Sequence, residues 1–207
     1  MISAGEILSI FQHFELSLSR NQAEQILAYM ALLLKWNKTI NLTAVTEPRE
    51  IISRHFAESI LATKIVDLSH GRLADIGPGA GFPALALSIF SPELNVTLVE
   101  SNARKCAFLK EVARSLGLDR VTVLHRRLQF SDPVGELFDF ITARALGDYD
   151  SFLPWARSSL SSNGYLILWL GISEAERLAR DETFAWQPLY PVQGTSGRVI
   201  LAGRRFR

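Results

Sequence analysis

Residues Leu73-Ala74-Asp75-Ile76-Gly77-Pro78-Gly79-Ala80-Gly81-Phe82-Pro83 decide how this chain is read. A short apolar run enters the stretch, and an apolar helical pattern, Ala84 to Phe90, leaves it. An acidic residue followed by Gly-x-Gly-x-Gly between a strand and a helix marks a turn whose backbone passes close to something. Glycine tolerates positive φ and, lacking Cβ, lets a flat ligand lie against the main chain. The following helix points its free N–H groups and positive dipole end back at the bend. This combination predicts a nucleotide-type ligand above a parallel sheet.

Outward from the bend, the C-terminal side alternates strands and helices. Arg72–Ile76 reads as the first strand, Asn95–Glu100 as the second, Val121–His125 as the third and Phe138–Ala143 as the fourth. Gly164–Leu170 is the fifth, and residues 184–192 and 197–204 are close enough to pair as a closing hairpin. Helices are expected over 83–90, 102–116, 149–160 and 173–180, with Gly117 ending the second of these. Repeated β-α units imply an α/β fold with a mostly parallel, seven-stranded sheet covered on both faces. On the N-terminal side the texture is helical. Ile7, Leu8, Phe11 and Phe14 recur at helical steps, and Ser19 with Gln22 forms a plausible capping box. Ile26, Tyr29, Met30, Leu33, Trp36 and Ile40 then share one stripe, which implies burial. Pro48 suits a first helical turn, and the helix it opens carries Ile51, Ile52, His55, Ser59 and Ala62. With no Gly-, Pro- or Ser-rich linker before residue 68, we expect a helical extension, 1–67, packed on a main domain, 68–207.

Composition narrows the function less. With 48% hydrophobic and 21% charged residues over 207 positions, the chain has the make-up of an ordinary globular protein. Its net charge of +1 announces no nucleic acid, so any RNA contact must come from a local basic patch. Cys106 is the single cysteine, which leaves no disulfide framework or cysteine zinc cluster and favours a reducing compartment. The N-terminus lacks a basic n-region, and the longest apolar run, Ile26 to Leu34, is far short of the ~20 residues needed to span a bilayer. The expectation is a cytoplasmic monomer, without membrane or metal.

Two ligand classes share such a bend. Dinucleotide enzymes want Gly-x-Gly-x-x-Gly so that a pyrophosphate can sit on the helix N-terminus. Here the third glycine comes one residue early, which suits S-adenosylmethionine, a cofactor without phosphate, better. Asp75 can bond the loop or the methionine ammonium. Glu100, ending the second strand, can accept both ribose hydroxyls and serves either nucleoside.

At Leu34-Lys35-Trp36-Asn37-Lys38-Thr39-Ile40-Asn41-Leu42-Thr43 and Arg54-His55-Phe56-Ala57-Glu58-Ser59 the chain resembles a known family, the bacterial small-subunit rRNA guanine-N7 methyltransferases (RsmG or GidB). The bend itself, Glu100 to Lys105 with Phe108-Leu109, Arg127, and Phe138 to Ala145 fit the same pattern, so the resemblance spans about residues 25 to 205. It implies a Rossmann-like class I methyltransferase fold, S-adenosylmethionine as cofactor, and 16S ribosomal RNA or a small-subunit precursor as partner. Carried over by position, cofactor contacts fall on Gly77, Phe82, Leu128, Gln129 and Arg144, with Glu100 as ribose acceptor; Asp75, Gly79 and Gly81 join them from the bend. Three positions depart from the family: Gln129 where an acid is usual, Leu170-Gly171 where Lys-Gly is frequent, and Glu100 where Asp is frequent.

The N7 atom of guanine already carries an exposed lone pair, so its methylation needs no general base, metal or covalent nucleophile. Placement of the nucleophile and tolerance of moving charge should suffice. Arg144, just past the fourth strand, is the substrate-side candidate, able to hold guanine O6 or a phosphate; the alternative is an ion pair with Asp148 or Asp150. Candidate RNA contacts are Lys35, Lys38, Arg54, Arg104, Lys105, Arg126, Arg127, Arg198, Arg204 and Arg205. Trp36 reads as core, His55 as a hydrogen-bonded structural histidine, and Cys106 as a small buried hydrophobe. A small NAD-dependent oxidoreductase and a non-catalytic RNA-binding module remain the competing readings.

Overall fold

Apolar strands that alternate with amphipathic helices leave the chain one economical solution, a central sheet with a helical layer on each face. The computed structural model describes residues 2–131 and 137–206 and shows that arrangement. The strands are β1 (His70–Ile76), β2 (Glu93–Glu100), β3 (Val121–His125), β4 (Phe138–Arg144), β5 (Leu160–Gly171), β6 (Phe184–Trp186), β7 (Tyr190–Pro191) and β8 (Arg198–Arg205). They lie in the order β3-β2-β1-β4-β5-β8-β6, with β7 also on β8. The first five are mutually parallel, and β8 runs antiparallel to β5 with Leu168 opposite Leu201.

One difference from the sequence reading concerns the closing hairpin. Residues 184–192 form two short strands, β6 and β7, which both pair with β8, so the sheet has eight strands. Pro188 between them lacks an N–H and cannot continue a ladder. Gly203 lies opposite Trp186, and a methyl group there would come within 2.3 Å of the indole, so the ring packs flat on bare backbone.

The helices are α1 (Ala4–His13), α2 (Arg20–Asn37), α3 (Pro48–Ile51), α4 (Glu58–Ile60), α5 (Ala84–Phe90), α6 (Ala103–Leu116), α7 (Tyr149–Ser159) and α8 (Ile172–Leu178). A π-helical stretch, Ile52–Ala57, joins α3 to α4, and a 3-10 turn, Leu61–Lys64, follows. Capping boxes start α1 and α2: Ser3 with Glu6, and Ser19 with Gln22. The Gln22 amide also donates to the carbonyls of Ile89 and Phe90, groups at the end of α5 that have no partner within their own helix. Asn102 caps α6, and Gly117 ends it in the left-handed conformation at φ 63°.

The sheet separates two cores. One joins the N-terminal helices to α5 and α6 through Ile7, Phe11, Tyr29, Phe56, Leu85 and Phe108, among others. The other lies under α7 and α8, around Phe152, Trp155, Leu168 and Leu178. The N-terminal helices are therefore part of the first core, and they cover α5 and α6 next to the bend after β1. Among the described residues no helix is long and apolar enough to cross a membrane.

Candidate active site at the carboxyl edge of the sheet

Strand order reverses at β1, which has β2 on one side and β4 on the other. In open α/β sheets the crevice outside the carboxyl ends at such a switch point is where ligands bind. Gly77 follows β1 and Arg144 ends β4, so both stand at that crevice.

The three glycines of the bend have different surroundings. Gly77 and Gly79 take positive φ, 68° and 57°. A methyl group at Gly77 would meet nothing within 4 Å, and one at Gly79 only the Gly77 carbonyl at 4.0 Å. Both face open space. Gly81, at φ 91°, faces the protein: a methyl group there would lie 2.2 Å from the Tyr29 hydroxyl and 2.6 Å from Leu85. This corrects its reading as a surface offered to a ligand; its missing side chain lets α2 approach the bend.

Two carboxylates brace the bend. Asp75 is fully buried, and its Oδ2 accepts from the Ala84 N–H at 3.2 Å, the start of α5. Its Oδ1 is buried without a hydrogen bond. Burial raises its pKa to about 7, against the pull of the Thr142 hydroxyl, the Ala84 N–H and Arg144. Glu100 is also buried. Its Oε2 accepts from the Gly79 N–H at 3.2 Å and its Oε1 from the Asn102 N–H at 2.8 Å. Each carboxylate oxygen keeps a lone pair for a further donor.

A cavity of about 270 Å³ opens in front of Gly77 and Gly79. The bend supplies one wall through Pro78, Ala80 and Phe82. Leu42 and Thr43 from the loop after α2, His55 from the π-helical stretch, Lys105 from α6, and Arg144 with Ala145 complete it. Asp75, Glu100, Leu128 and Gln129 stand outside these walls; Leu128 and Gln129 lie on the loop after β3, with Leu128 against the second core.

The N-terminal wall was not read from the sequence as a wall. Its signal was the Trp36-Asn37 and Arg54-His55-Phe56 segments themselves. The Asn37 side-chain Oδ1 accepts from the N–H groups of Leu42 and Thr43, while its Nδ2 donates to the Thr43 carbonyl at 2.9 Å. That closes the loop and aims the Thr43 hydroxyl at His55 Nε2, 2.7 Å away. The His55 ring stacks on Phe82, with centroids 4.9 Å apart, and Phe82 stacks in turn on Tyr29 at 5.3 Å. Burial, then the nearby Arg144, Arg54 and Arg198, lowers the His55 pKa to about 4, so the imidazole is neutral at pH 7. Trp36 is half-buried against Phe108, and Cys106 is buried.

Arg144 pairs with neither acid weighed from the sequence. Asp148 caps α7, and Asp150 pairs with Arg177. The Arg144 guanidinium instead donates to the Arg54 carbonyl at 3.2 Å and lies 3.8 Å from Glu58. Ala145, next in the chain, takes a left-handed φ of 56°, a conformation that costs a non-glycine residue roughly 1–3 kcal/mol and clusters at functional sites. Arg144 and Ala145 also line a second cavity, of about 310 Å³, with Glu58, Tyr149, Trp169, Leu170 and Arg198. Burial pushes the Glu58 carboxyl up, while Arg144, Arg198 and Arg54 pull it down.

The remaining basic candidates divide. Lys35, Lys38, Arg104, Arg126 and Arg127 are exposed, Arg54 pairs with Glu50, and Arg198 pairs with Glu58 at 3.0 Å. Arg204 and Arg205 do not join them. Because β8 is antiparallel, Arg204 lies opposite Tyr165 at the other end of the sheet, which removes both from this edge. A larger cavity, about 490 Å³, also lies at that amino edge, beside Gln22, Leu94 and Val121.

Comparison with known proteins identifies the fold and the family. Residues 22–191 match the sequence model of a family described as rRNA small subunit methyltransferase G. A relative of that name from Xylella fastidiosa (strain M23) is 41% identical over 164 residues, 79% of this chain and 76% of its own. Another from Pseudomonas putida (strain GB-1) is 33% identical over 206 residues, 98% of this chain and 95% of its own. Among solved structures, a ribosomal protein L11 methylase from Lactobacillus delbrueckii subsp. bulgaricus superposes with a TM-score of 0.60 at 19% identity, covering 74% of this chain and 79% of that one. The glycopeptide N-methyltransferase MtfA, complexed with S-adenosyl-L-homocysteine, gives 0.60 at 14% identity over 72% of this chain and 89% of its own. These two show a shared Rossmann-like methyltransferase fold. The family match over most of the chain, with two relatives above 30% identity, shows that the chain belongs to the rRNA small subunit methyltransferase G family.

Proposed function

We propose that the protein transfers the methyl group of S-adenosylmethionine to N7 of one guanine in 16S ribosomal RNA. Membership of a family named for methylation of small-subunit rRNA supports the reaction and the substrate. The observation that carries the site is the open space over Gly77 and Gly79, which side chains there would fill. Asp75, Gly77, Gly79, Phe82 and Glu100 would hold the cofactor, with Leu128 and Gln129 at the adenine end. Gly81 contributes to the shape of the bend from its inner side.

The bound cofactor supplies an electrophilic methyl group on a sulfonium centre. The protein supplies placement. A neutral guanine presents N7 with its lone pair free, so no proton has to leave first. Arg144 borders the cofactor cavity and the adjoining one, and thus stands where an acceptor base would meet the methyl group. His55, neutral at pH 7, adds no positive charge beside the sulfonium. Lys35, Lys105, Arg104 and Arg127 supply the basic surface for RNA phosphates. Arg54 and Arg198 would help only by exchanging their carboxylate partners for phosphate.

Calorimetry with S-adenosylmethionine and NADH tests the cofactor, and mapping of ribosomal RNA methylation with and without the gene tests the product. Tighter binding of NADH, or an unchanged methylation map, overturns the reading.

A further inference from the structure

We propose that Glu58 and Arg144 together read the edge of the target base and select guanine. The proposal rests on the methyl-transfer reading above and adds the residue that identifies the base.

Glu58 is 2% exposed, yet it lines the second cavity, and its Oε2 has no hydrogen bond. The Arg198 guanidinium lies 3.0 Å from that oxygen without making one. The ion pair with Arg198 compensates the charge of that oxygen but leaves its hydrogen-bonding capacity unfilled, and buried polar atoms ordinarily find a donor. The cavity is otherwise suited to a flat base: Trp169, Tyr149 and Leu170 form apolar walls. The Trp169 indole is fixed by donating to the Glu58 carbonyl at 2.9 Å.

The order of groups matters. Around a guanine ring, N7, O6, N1–H and the 2-amino group follow one another. In the protein, the bend cavity, Arg144 and Glu58 follow one another, because Arg144 lines both cavities and Glu58 only the second. With N7 turned towards the bend, Arg144 donates to O6 and the Glu58 carboxylate accepts from N1–H and the 2-amino group. Adenine in the same pose puts an amino group against Arg144 and a bare ring nitrogen against the carboxylate. Uracil offers a single donor between two acceptors. Both leave buried polar groups unpaired, the strongest way for a site to reject a substrate.

The test uses small subunits reassembled around 16S RNA in which the methylated guanine, once mapped, is replaced by inosine, which lacks only the 2-amino group. The wild-type protein should methylate guanine about 10- to 100-fold better in kcat/KM, the loss expected for one hydrogen bond to a charged acceptor. Glu58→Gln should lower transfer to guanine and shrink the guanine-to-inosine ratio to about threefold or less, the amide being a weaker, uncharged acceptor. Affinity for S-adenosylmethionine should stay unchanged. Equal wild-type rates on guanine and inosine overturn the proposal alone, even if the variant fails to fold. A variant that keeps the full ratio does the same. Absence of any methyl transfer by the wild-type protein overturns the parent reading, and this proposal with it.

Discussion

The Tyr29 hydroxyl, on α2, donates a hydrogen bond to the carbonyl of Ala80, inside the glycine bend. Tyr29 is fully buried, and its ring stacks on Phe82, the residue that closes the bend. The N-terminal helices thus hold the proposed cofactor turn in shape from behind. Tyr29→Phe keeps the ring contact and orphans the Ala80 carbonyl, a loss of about 1–3 kcal/mol. We expect a lower melting temperature and weaker S-adenosylmethionine binding together, measured by calorimetry on one sample. Normal affinity in a destabilised variant would show that the bend holds its shape without α2.

Gly79 and Gly81 should separate binding from folding. Both take positive φ, so either Gly→Ala change carries a backbone cost of about 1–2 kcal/mol. At Gly79 the added methyl enters open space. That variant should fold and lose cofactor affinity. At Gly81 the methyl collides with Tyr29 and Leu85, so the variant should lose several kcal/mol of stability. Circular dichroism melts and a cofactor titration on both proteins make the comparison. A Gly79→Ala variant with full affinity would place the ligand elsewhere.

The sheet was legible because strand and helix periods differ and because glycines punctuate the bend. The split of residues 184–192 into two strands was less so, since Pro188 interrupts an otherwise strand-like run. The bracing of the bend by Asp75 and Glu100 was legible from their positions at or next to strand ends, where backbone geometry dictates what they reach. The partners of Arg144 were not. Asp148 and Asp150 are near it in sequence, whereas Glu58 is brought beside it by a π-helical stretch that no hydrophobic period announces. Arg204 and Arg205 were misplaced for a related reason. Charge is visible in a sequence, but the edge a strand end reaches depends on whether the strand is antiparallel.

Arg144→Ala should affect turnover more than folding. The substitution leaves Glu58 paired with Arg198, so a stability loss of about 1–2 kcal/mol is expected. If Arg144 meets the acceptor base as proposed, losing its charge should lower kcat/KM for methyl transfer about a hundredfold, roughly 3 kcal/mol. Melting curves beside a methyl-transfer assay on small subunits provide the check. Equal losses in folding and turnover, or unchanged turnover, would remove Arg144 from the site.

Asp75 should make both stability and cofactor binding depend on pH near neutrality. Its folded pKa is about 7 against an ordinary 3.8. Between those values the folded protein holds a proton that the unfolded chain has released. This contribution to stability is therefore fully present below 3.8 and is lost as pH rises through 7. Asp75→Asn removes the titration, so its melting temperature relative to wild type should rise from pH 5 to pH 8. A cationic ligand beside the bend favours the ionised carboxylate, which gives binding the opposite sign. Wild-type affinity for S-adenosylmethionine should strengthen from pH 6 to pH 8, by about tenfold for each unit that the ligand lowers the pKa. Calorimetry in two buffers of different ionisation enthalpy should detect proton release near pH 7 in the wild type and none in the variant. Binding that ignores pH, with no proton released, would mean that the Asp75 carboxylate does not sense the ligand's charge and only anchors α5.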